Sequence, residues 1–175
     1  HKREGWPRAE EAVFSSVWPH PVSGGRHKVL GGAALMIPPQ TSTIASHLPK
    51  AVGAAYAIGL ARRHPPEHRR LAPDGIVMAS FGDASVNHAS AQAAFNTAGW
   101  AAWQGAPLPI LFVCEDNGIG ISTRTPGGWI RASFSNRPDL KYFYCDGLNL
   151  LDSYRTAKAA EHYARKYRRP VFLHI

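Results

Sequence analysis

The chain has 175 residues, of which 45% are hydrophobic and 18% charged, a composition that is typical of a folded domain and excludes a disordered chain. No apolar run approaches the ~18 consecutive residues of a membrane-spanning helix, so we expect no membrane partner. The net charge of +8 comes largely from basic clusters near two predicted helix ends, at 62–70 and 165–169. Cations there complement the helix dipole and predict solvated helix ends, with an anionic partner surface as the alternative. Because no nucleic-acid-binding motif accompanies the charge, no nucleic-acid partner is predicted.

The two cysteines, Cys114 and Cys145, form neither a metal-binding spacing nor a disulfide framework. Cys114 lies within an apolar run, which predicts a buried free thiol. A reduced, cytoplasmic setting fits this cysteine usage. The absence of an initiator methionine and the apolar residues at 171–175 predict that the chain is one segment of a longer polypeptide.

Residues 1–40 are rich in proline, glycine and tryptophan without sustained periodicity, which predicts an irregular N-terminal arm. Residues 41–175 alternate between short apolar runs and longer stretches in which apolar residues recur at helical spacing. This alternation predicts an α/β domain with a parallel sheet and helices on both faces. The predicted elements are helices at 46–63, 85–103 and 151–168 and strands at 76–81, 110–114, 142–145 and 171–175.

Two segments of this domain have an unusual composition. The helix at 46–63 contains many alanine and glycine residues, which predicts close packing against another element or a partner subunit. Residues 118–138 lack periodicity and are rich in glycine, serine, threonine and arginine. A structureless segment of this length is either mobile or functional.

Polar residues follow two of the predicted strands directly. Asp83 comes after the strand at 76–81, and Asn117 comes after the strand at 110–114. The carboxyl ends of parallel strands line the ligand crevice of an open α/β sheet. Backbone N–H groups at the helix start that follows Asp83 can bind phosphate, and carboxylate, amide and carbonyl oxygens suit Mg²⁺. The pattern therefore predicts a divalent cation and a diphosphate at this edge.

Each of these residues also has an ordinary structural interpretation. Asp83 could be a helix N-cap, and Asn117 with the glycine after it could be a plain turn. His47 and His88 are predicted to be structural, with a partner contact as a further alternative for His47.

Several segments, taken together in their order along the chain, resemble the thiamine-diphosphate-dependent decarboxylating components of 2-oxo acid dehydrogenase complexes, and in particular their α chains. The resemblance covers roughly residues 22–175 and includes Asp146 and the glycine after it. Two positions depart from the family motif: Ala84 replaces a glycine, and Asp116 replaces the first asparagine of a pair. The segments that carry the resemblance are residues 44–57, 81–84, 94–98 and 114–122.

The resemblance implies a thiamine-diphosphate-binding fold and a set of site residues. Mg²⁺ would be held by Asp83, Asn117 and the backbone carbonyl of Ile119. His27 would lie near the thiazolium ring as the catalytic residue of this chain. The residues implied to bind the cofactor are Ser42, Ile44, Gly82, Asp83, Ala84, Ser85 and Asn117.

The resemblance also implies an activity, the oxidative decarboxylation of a 2-oxo acid with acyl transfer to a lipoyl group. The glutamate that activates the cofactor in this family lies on a pyrimidine-binding domain or β chain, and no residue here matches it. The chain would then be half of an active site, inactive without that partner, within an oligomer that serves a lipoyl-bearing acyltransferase. The alternatives are a transketolase-like or acetoin-cleaving thiamine enzyme, or a non-catalytic module that has kept the fold.

Overall fold

The computed structural model describes residues 30–32, 36–40, 44–61, 63–68 and 71–175, and the chain divides between His47 and Leu48 into two compact units. In the first unit, strand β1 (Leu30–Gly32) pairs antiparallel with strand β2 (Ile37–Gln40). The predicted arm at 1–40 therefore contains some regular structure among its described residues. The predicted boundary at 40 and 41 stays a prediction.

The second unit is built on a four-stranded sheet in which every neighbouring pair of strands is parallel. Each of these strands agrees within one residue with a strand predicted from the sequence. The parallel α/β architecture is thus confirmed. The strands are β3 (Val77–Gly82), β4 (Ile110–Glu115), β5 (Lys141–Tyr144) and β6 (Val171–His174). Their order in the sheet is β3-β4-β6-β5.

Three of the helices were predicted and one was not. The unexpected helix, α3 (Trp129–Phe134), lies within the segment 118–138, so the prediction of a structureless loop there was wrong. Gly128, in the left-handed conformation, precedes α3, and the helix buries Ile130 and Phe134. Six residues are too few to show a helical period in the sequence. The helices are α1 (His47–Ala61), α2 (Ala89–Trp103), α3 (Trp129–Phe134) and α4 (Leu150–Tyr167).

An aromatic cluster on one face of the sheet holds α2 and α3 in place. Phe95 of α2 is fully buried at its centre. Edge and tilted ring contacts of this kind add to the free energy gained by burying the rings. The Phe95 ring centroid lies 5.1 Å from Phe112 and Phe134, 5.6 Å from Phe81 and 5.7 Å from Phe172.

The opposite face of the sheet packs against α4. Ala160 and Ala164 of this helix are buried against Leu111, Val171 and Leu173. Leu111 precedes Phe112 and Leu173 follows Phe172, so successive side chains point to the two faces, as the pleat of a strand requires. Helices therefore cover both faces, as predicted.

The basic cluster at the end of α4 is only partly solvated: Arg165 and Lys166 are exposed, as predicted, whereas Arg168 is buried. Arg168, in the left-handed conformation, closes the helix and is only 9% exposed. Arg165, Arg168 and Arg169 each donate a hydrogen bond to a backbone carbonyl of a neighbouring segment. The acceptors are Asp74, Gly75 and Ala102, in that order.

Two glycines of α1 predict opposite effects of the same substitution. A β-carbon on Gly59 would lie 2.7 Å from the carbonyl oxygen of Pro107, whereas one on Gly53 meets no described atom within 4 Å. We expect Gly59→Ala to lower the free energy of unfolding by about 1–3 kcal/mol through overpacking. Gly53→Ala should raise it by about 0.5–1 kcal/mol, since alanine is the better helix former. Urea denaturation of both variants checks the pair, and equal shifts would contradict the close packing of α1.

Candidate functional site

The site begins where β3 and β4 end side by side. Gly82, the last residue of β3, pairs with Glu115, the last residue of β4. Asp83 follows the first of these residues, and Asn117 comes two positions after the second. Because the strands are parallel, both polar residues belong to the carboxyl edge of the sheet. The sequence prediction placed them at this edge, and the strand register agrees.

Asp83 is a buried carboxylate with an unused oxygen. Its side chain is only 1% exposed, and its Oδ2 accepts a hydrogen bond from Thr125 Oγ1. Its Oδ1 is buried without a hydrogen-bond partner among the described residues. A buried carboxylate oxygen without a partner is costly, so this atom is suited to a cation that would satisfy it.

The helix N-cap alternative for Asp83 is not what the structure shows. A short 3-10 turn, Asp83–Ser85, follows β3, and its cap residue is Gly82, which has no side chain to contribute. Asp83 instead lies inside the turn and directs its carboxylate to Thr125, which is 42 positions away in the chain.

The segment after β4 folds back on itself as a small hairpin. Thr125 N donates to Gly118 O at 3.1 Å, and Gly120 N donates to Thr123 O at 2.7 Å. Ile119 and Arg124 form the bridge between these two hydrogen bonds. In such a pair the N–H and C=O groups of the central residues point away from the partner strand. The carbonyl of Ile119 is therefore directed out of the hairpin.

The side chain of Asn117 forms a turn with the backbone, and its Oδ1 can still bind a cation. Its Oδ1 accepts from Ile119 N at 3.0 Å, so the plain-turn interpretation is correct as far as it goes. An amide oxygen has two lone pairs and can accept a second interaction. Asn117 can therefore both form the turn and act as a metal ligand. The hydrogen bond of the turn fixes the position of the Asn117 side chain relative to the backbone of Ile119.

Thr125 is the residue that closes the hairpin onto Asp83, and Thr125→Val removes only its hydroxyl. We expect this variant to lower the free energy of unfolding by about 1.5–3 kcal/mol, because a charged acceptor loses its only described donor. Thr123→Val, at an exposed position of the same hairpin, should change stability by less than about 0.5 kcal/mol. Chemical denaturation of both variants is the measurement. Equal effects would show that the bond to Asp83 contributes nothing.

The methyl group of Ala84, which departs from the family motif, lies against the hairpin. A β-carbon added to Gly120 would lie 3.2 Å from Ala84 Cβ. Ala84 is therefore accommodated because the facing residue has no side chain. The departure does not prevent the hairpin from closing over Asp83.

Cys114 is fully buried in β4, next to the site, and carries a free thiol, as predicted. Burial raises the pKa of this thiol far above its ordinary value, and the nearby carboxylates of Asp116 and Asp83 raise it further. The thiol is thus protonated at neutral pH and is not a metal ligand or a nucleophile in this state.

His88 has a structural role, as predicted. It is the N-cap of α2, and its Nδ1 accepts from Ser90 N at 3.2 Å. Within the described residues, no group of three or more His, Cys, Asp or Glu side chains could hold a metal ion. A cation at Asp83 would therefore rely on an amide, a backbone carbonyl and oxygens from outside the chain.

The structure tests the placement of only some predicted site residues. Six of them lie at the carboxyl edge of the sheet, and Ile44 lies in the first unit with its side chain about half exposed. His27 and Ser42 lie outside the described residues. The six residues at the edge are Gly82, Asp83, Ala84, Ser85, Asn117 and Ile119. Sequence reasoning missed Thr125, because a threonine in a loop without periodicity carries no signal for a contact with Asp83.

A parallel sheet with helices on both faces and a carboxylate at its carboxyl edge is consistent with a thiamine-diphosphate-binding α/β fold. A family model described as "Dehydrogenase E1 component" matches residues 11–175. The chain therefore belongs to the dehydrogenase E1 component family of 2-oxo acid dehydrogenases. Among the described residues, no helix is long and apolar enough to cross a membrane.

Curated relatives agree with this assignment. The chain is 33% identical over 136 residues to the mitochondrial 2-oxoisovalerate dehydrogenase subunit alpha of Caenorhabditis elegans, a match that covers 76% of the chain and 28% of the relative. The mouse protein of the same name is 29% identical over 136 residues, covering 76% and 27%. The human testis-specific pyruvate dehydrogenase E1 component subunit alpha is 32% identical over 108 residues, covering 58% and 25%. The chain thus spans about a quarter of the length of these relatives.

Proposed function

We propose that the chain binds Mg²⁺ and thiamine diphosphate and contributes to the oxidative decarboxylation of a 2-oxo acid, with acyl transfer to a lipoyl group. Membership of the E1 component family supports the reaction class. The observation that carries the proposal is the buried Asp83 carboxylate, whose Oδ1 has no described partner at the carboxyl edge of a parallel sheet. A cation there would compensate the buried charge, and a diphosphate would complete the coordination of that cation.

The proposed metal ligands are Asp83, Asn117 and the carbonyl of Ile119. Mg²⁺ prefers six oxygen ligands and usually combines a few protein oxygens with phosphate and water. These three ligands would leave room for two phosphate oxygens and one water. The ligand set has one negative charge, so the diphosphate would supply most of the charge that balances the metal.

Further residues are proposed to contact the cofactor itself. Gly82, Ala84 and Ser85 adjoin Asp83 and are proposed to line the diphosphate. Ser42 and Ile44 are proposed to contact the aminopyrimidine and His27 the thiazolium, on the strength of the family resemblance alone. When bound, thiamine diphosphate supplies the nucleophilic carbon that attacks the 2-oxo group, and this chain would anchor and orient its diphosphate end.

We propose that the active site is completed by a β-type pyrimidine-binding domain or subunit. That partner would supply the activating glutamate, and a lipoyl-bearing acyltransferase would receive the acyl group. An oligomeric assembly is part of the same proposal. A cytoplasmic location stays a prediction from cysteine usage, whereas the relatives named above are mitochondrial proteins.

Titration calorimetry with thiamine diphosphate tests the proposal, with and without Mg²⁺, on the chain alone and together with a β-type partner. We expect binding that requires Mg²⁺ and becomes tighter with the partner. Absence of binding in all four conditions would contradict the proposal and favour a non-catalytic module. Turnover of 2-oxo acids by the chain alone would contradict the half-site model.

The substrate is tested next on the assembled protein. The similarity to proteins named for 2-oxoisovalerate makes this branched 2-oxo acid the first substrate to compare with pyruvate and with hydroxylated 2-oxo acids. Carbon dioxide release with a lipoyl acceptor present would support the proposed reaction. Release from a hydroxylated 2-oxo acid that occurs only with an aldehyde acceptor, to which the remaining fragment is transferred, would instead favour a transketolase-like enzyme.

A further inference from the structure

Three polar side chains form a connected chain of hydrogen bonds that runs from Asp116, just after β4, through His174 at the end of β6 to Tyr142 within β5. Asp116 Oδ2 lies 2.9 Å from His174 Nε2, and His174 Nδ1 lies 2.7 Å from the hydroxyl of Tyr142. His174 is only 6% exposed and shares its face of β6 with Phe172, two positions earlier. Polar groups on an otherwise aromatic face are costly unless each has a partner, and here each does.

The partners assign the direction of these bonds. The Asp116 carboxylate can only accept a hydrogen bond, so Nδ1 of the neutral imidazole is the acceptor for the Tyr142 hydroxyl. The second ring nitrogen, Nε2, then carries the hydrogen and donates to the Asp116 carboxylate. The hydroxyl of Tyr142 thereby orients the imidazole ring, and the ring orients the carboxylate.

The carboxylate of Asp116 also accepts a hydrogen bond from the turn that contains the proposed metal ligands. Its Oδ1 accepts from Gly118 N at 3.0 Å, and its backbone N–H donates to Ile175 O at 2.7 Å. The adjacent Asn117 accepts from Ile119 N at 3.0 Å. Two successive side-chain-to-backbone bonds therefore define the turn at 116–119, and the first of them depends on where Asp116 points.

We propose that His174 is a positioning residue that acts through Asp116 to fix the turn at 116–119, and thereby the Asn117 amide and the Ile119 carbonyl for Mg²⁺. The inference rests on the proposed function and adds His174, Asp116 and Tyr142 to that site. It also gives a role to Asp116, which departs from the family motif. A carboxylate accepts from both His174 and Gly118, whereas an asparagine at this position would need the other tautomer of His174 to keep both bonds.

Two substitutions at position 174 distinguish the hydrogen bond made by Nε2 from the hydrogen bond made by Nδ1. The amide nitrogen of His174→Gln can take the place of Nε2 and preserve the bond to Asp116. The shorter side chain of His174→Asn reaches only the position of Nδ1, so it keeps the bond to Tyr142 and loses the one to Asp116. Both variants bury an amide of similar polarity, which makes them a matched pair.

The first readout is hydrogen exchange of the Gly118 and Ile119 amides, followed by NMR in the whole chain without cofactor. We expect exchange of both amides to be at least about 5-fold faster in His174→Asn, and within about twofold of wild type in His174→Gln, because local opening follows the lost bond. Amides of α4 serve as the internal reference for global stability. Equal exchange in the two variants would overturn the coupling of His174 to the turn.

The second readout is the Mg²⁺ concentration that half-saturates thiamine diphosphate binding, measured with the partner chain present. We expect about a 10-fold increase for His174→Asn and less than about threefold for His174→Gln, as is typical for loss of a residue that orients a metal ligand. If the wild type binds and both variants match it, the positioning role is overturned while the proposed function survives. If the wild type binds no cofactor, both the proposed function and the metal role of His174 are overturned.

Tyr142→Phe is the second variant if His174→Asn does not fold. It removes only the hydroxyl that orients the ring and keeps the aromatic packing. We expect the same direction of change in both readouts with a smaller size, together with a shift of the His174 ring ¹⁵N resonances. A variant with wild-type ring resonances and wild-type Mg²⁺ dependence would show that Tyr142 does not orient His174.

Discussion

Asp83→Asn is expected to weaken the Mg²⁺-dependent binding of thiamine diphosphate strongly while making the cofactor-free chain more stable. The carboxylate is buried with one oxygen unpartnered, so its charge is a cost in the absence of a cation. The amide removes that charge and its carbonyl oxygen can still accept from Thr125. We expect the free energy of unfolding to rise by about 1 kcal/mol, a size usual for relieving a strained functional site.

The loss of binding should be at least about 100-fold, equivalent to about 2.7 kcal/mol. A neutral amide attracts Mg²⁺ far less than a carboxylate, and the other two proposed ligands are neutral as well. Asp74→Asn is the matched control, because it removes the same formal charge at an exposed position whose nearest cation, Arg165, lies 3.9 Å away. It should alter neither binding nor stability by more than about 0.5 kcal/mol.

Calorimetry and urea denaturation of the two variants give the decisive comparison. Higher stability together with weaker cofactor binding in Asp83→Asn would support a site in which the bound cation compensates the buried charge of Asp83. Wild-type binding in this variant would exclude Asp83 as a metal ligand. A large loss of stability would instead indicate that the carboxylate is a structural residue that Thr125 needs in its charged form.

Phe95→Ala is expected to have the largest effect on stability, lowering the free energy of unfolding by about 3–5 kcal/mol. The ring is fully buried and touches aromatic rings of three strands and of α3. Its removal leaves a cavity whose rigid aromatic lining relaxes poorly. A change of this size is a large part of the ~5–15 kcal/mol that a domain of this kind has in total.

Thr97→Ala on the same helix is the control for Phe95→Ala. Its side chain is exposed, so the free energy of unfolding should change by less than about 0.5 kcal/mol. Phe95→Leu, which refills part of the cavity, should recover a measurable fraction of the loss. Urea denaturation monitored by tryptophan fluorescence measures all three variants. A loss below about 1 kcal/mol in Phe95→Ala would mean that the aromatic cluster is not the core that holds α2 on the sheet.

The positions of the strands were predictable because each is a short apolar run between strong boundary signals. The run at 110–114 follows Pro109, and the structure places β4 at Ile110–Glu115. The same logic predicted α4 at 151–168, where the structure has Leu150–Tyr167. The spacing of apolar residues and the proline and glycine residues at element ends are local properties of a sequence. They can therefore be read without knowledge of the fold.

Helix α3 and the role of Thr125 were not predictable by the same means. Six residues after two glycines show no period, and α3 exists because Ile130 and Phe134 find the aromatic face of the sheet. Thr125 has no pattern around it that would indicate Asp83 as its acceptor. Both features depend on packing between segments that are distant in the chain.

The sequence by itself determined the parallel α/β class, the family resemblance and the location of Asp83 and Asn117 at one edge, because strand ends and parallel pairing follow from local patterns. Only the tertiary structure decided that Asp83 keeps one oxygen unpartnered and that Asp116 turns to His174, 58 positions later. The physical reason is the strand order, β3-β4-β6-β5, which makes β4 and β6 neighbours although β5 lies between them in the chain. The partners of a buried polar group are set by such neighbours, and no local pattern contains them.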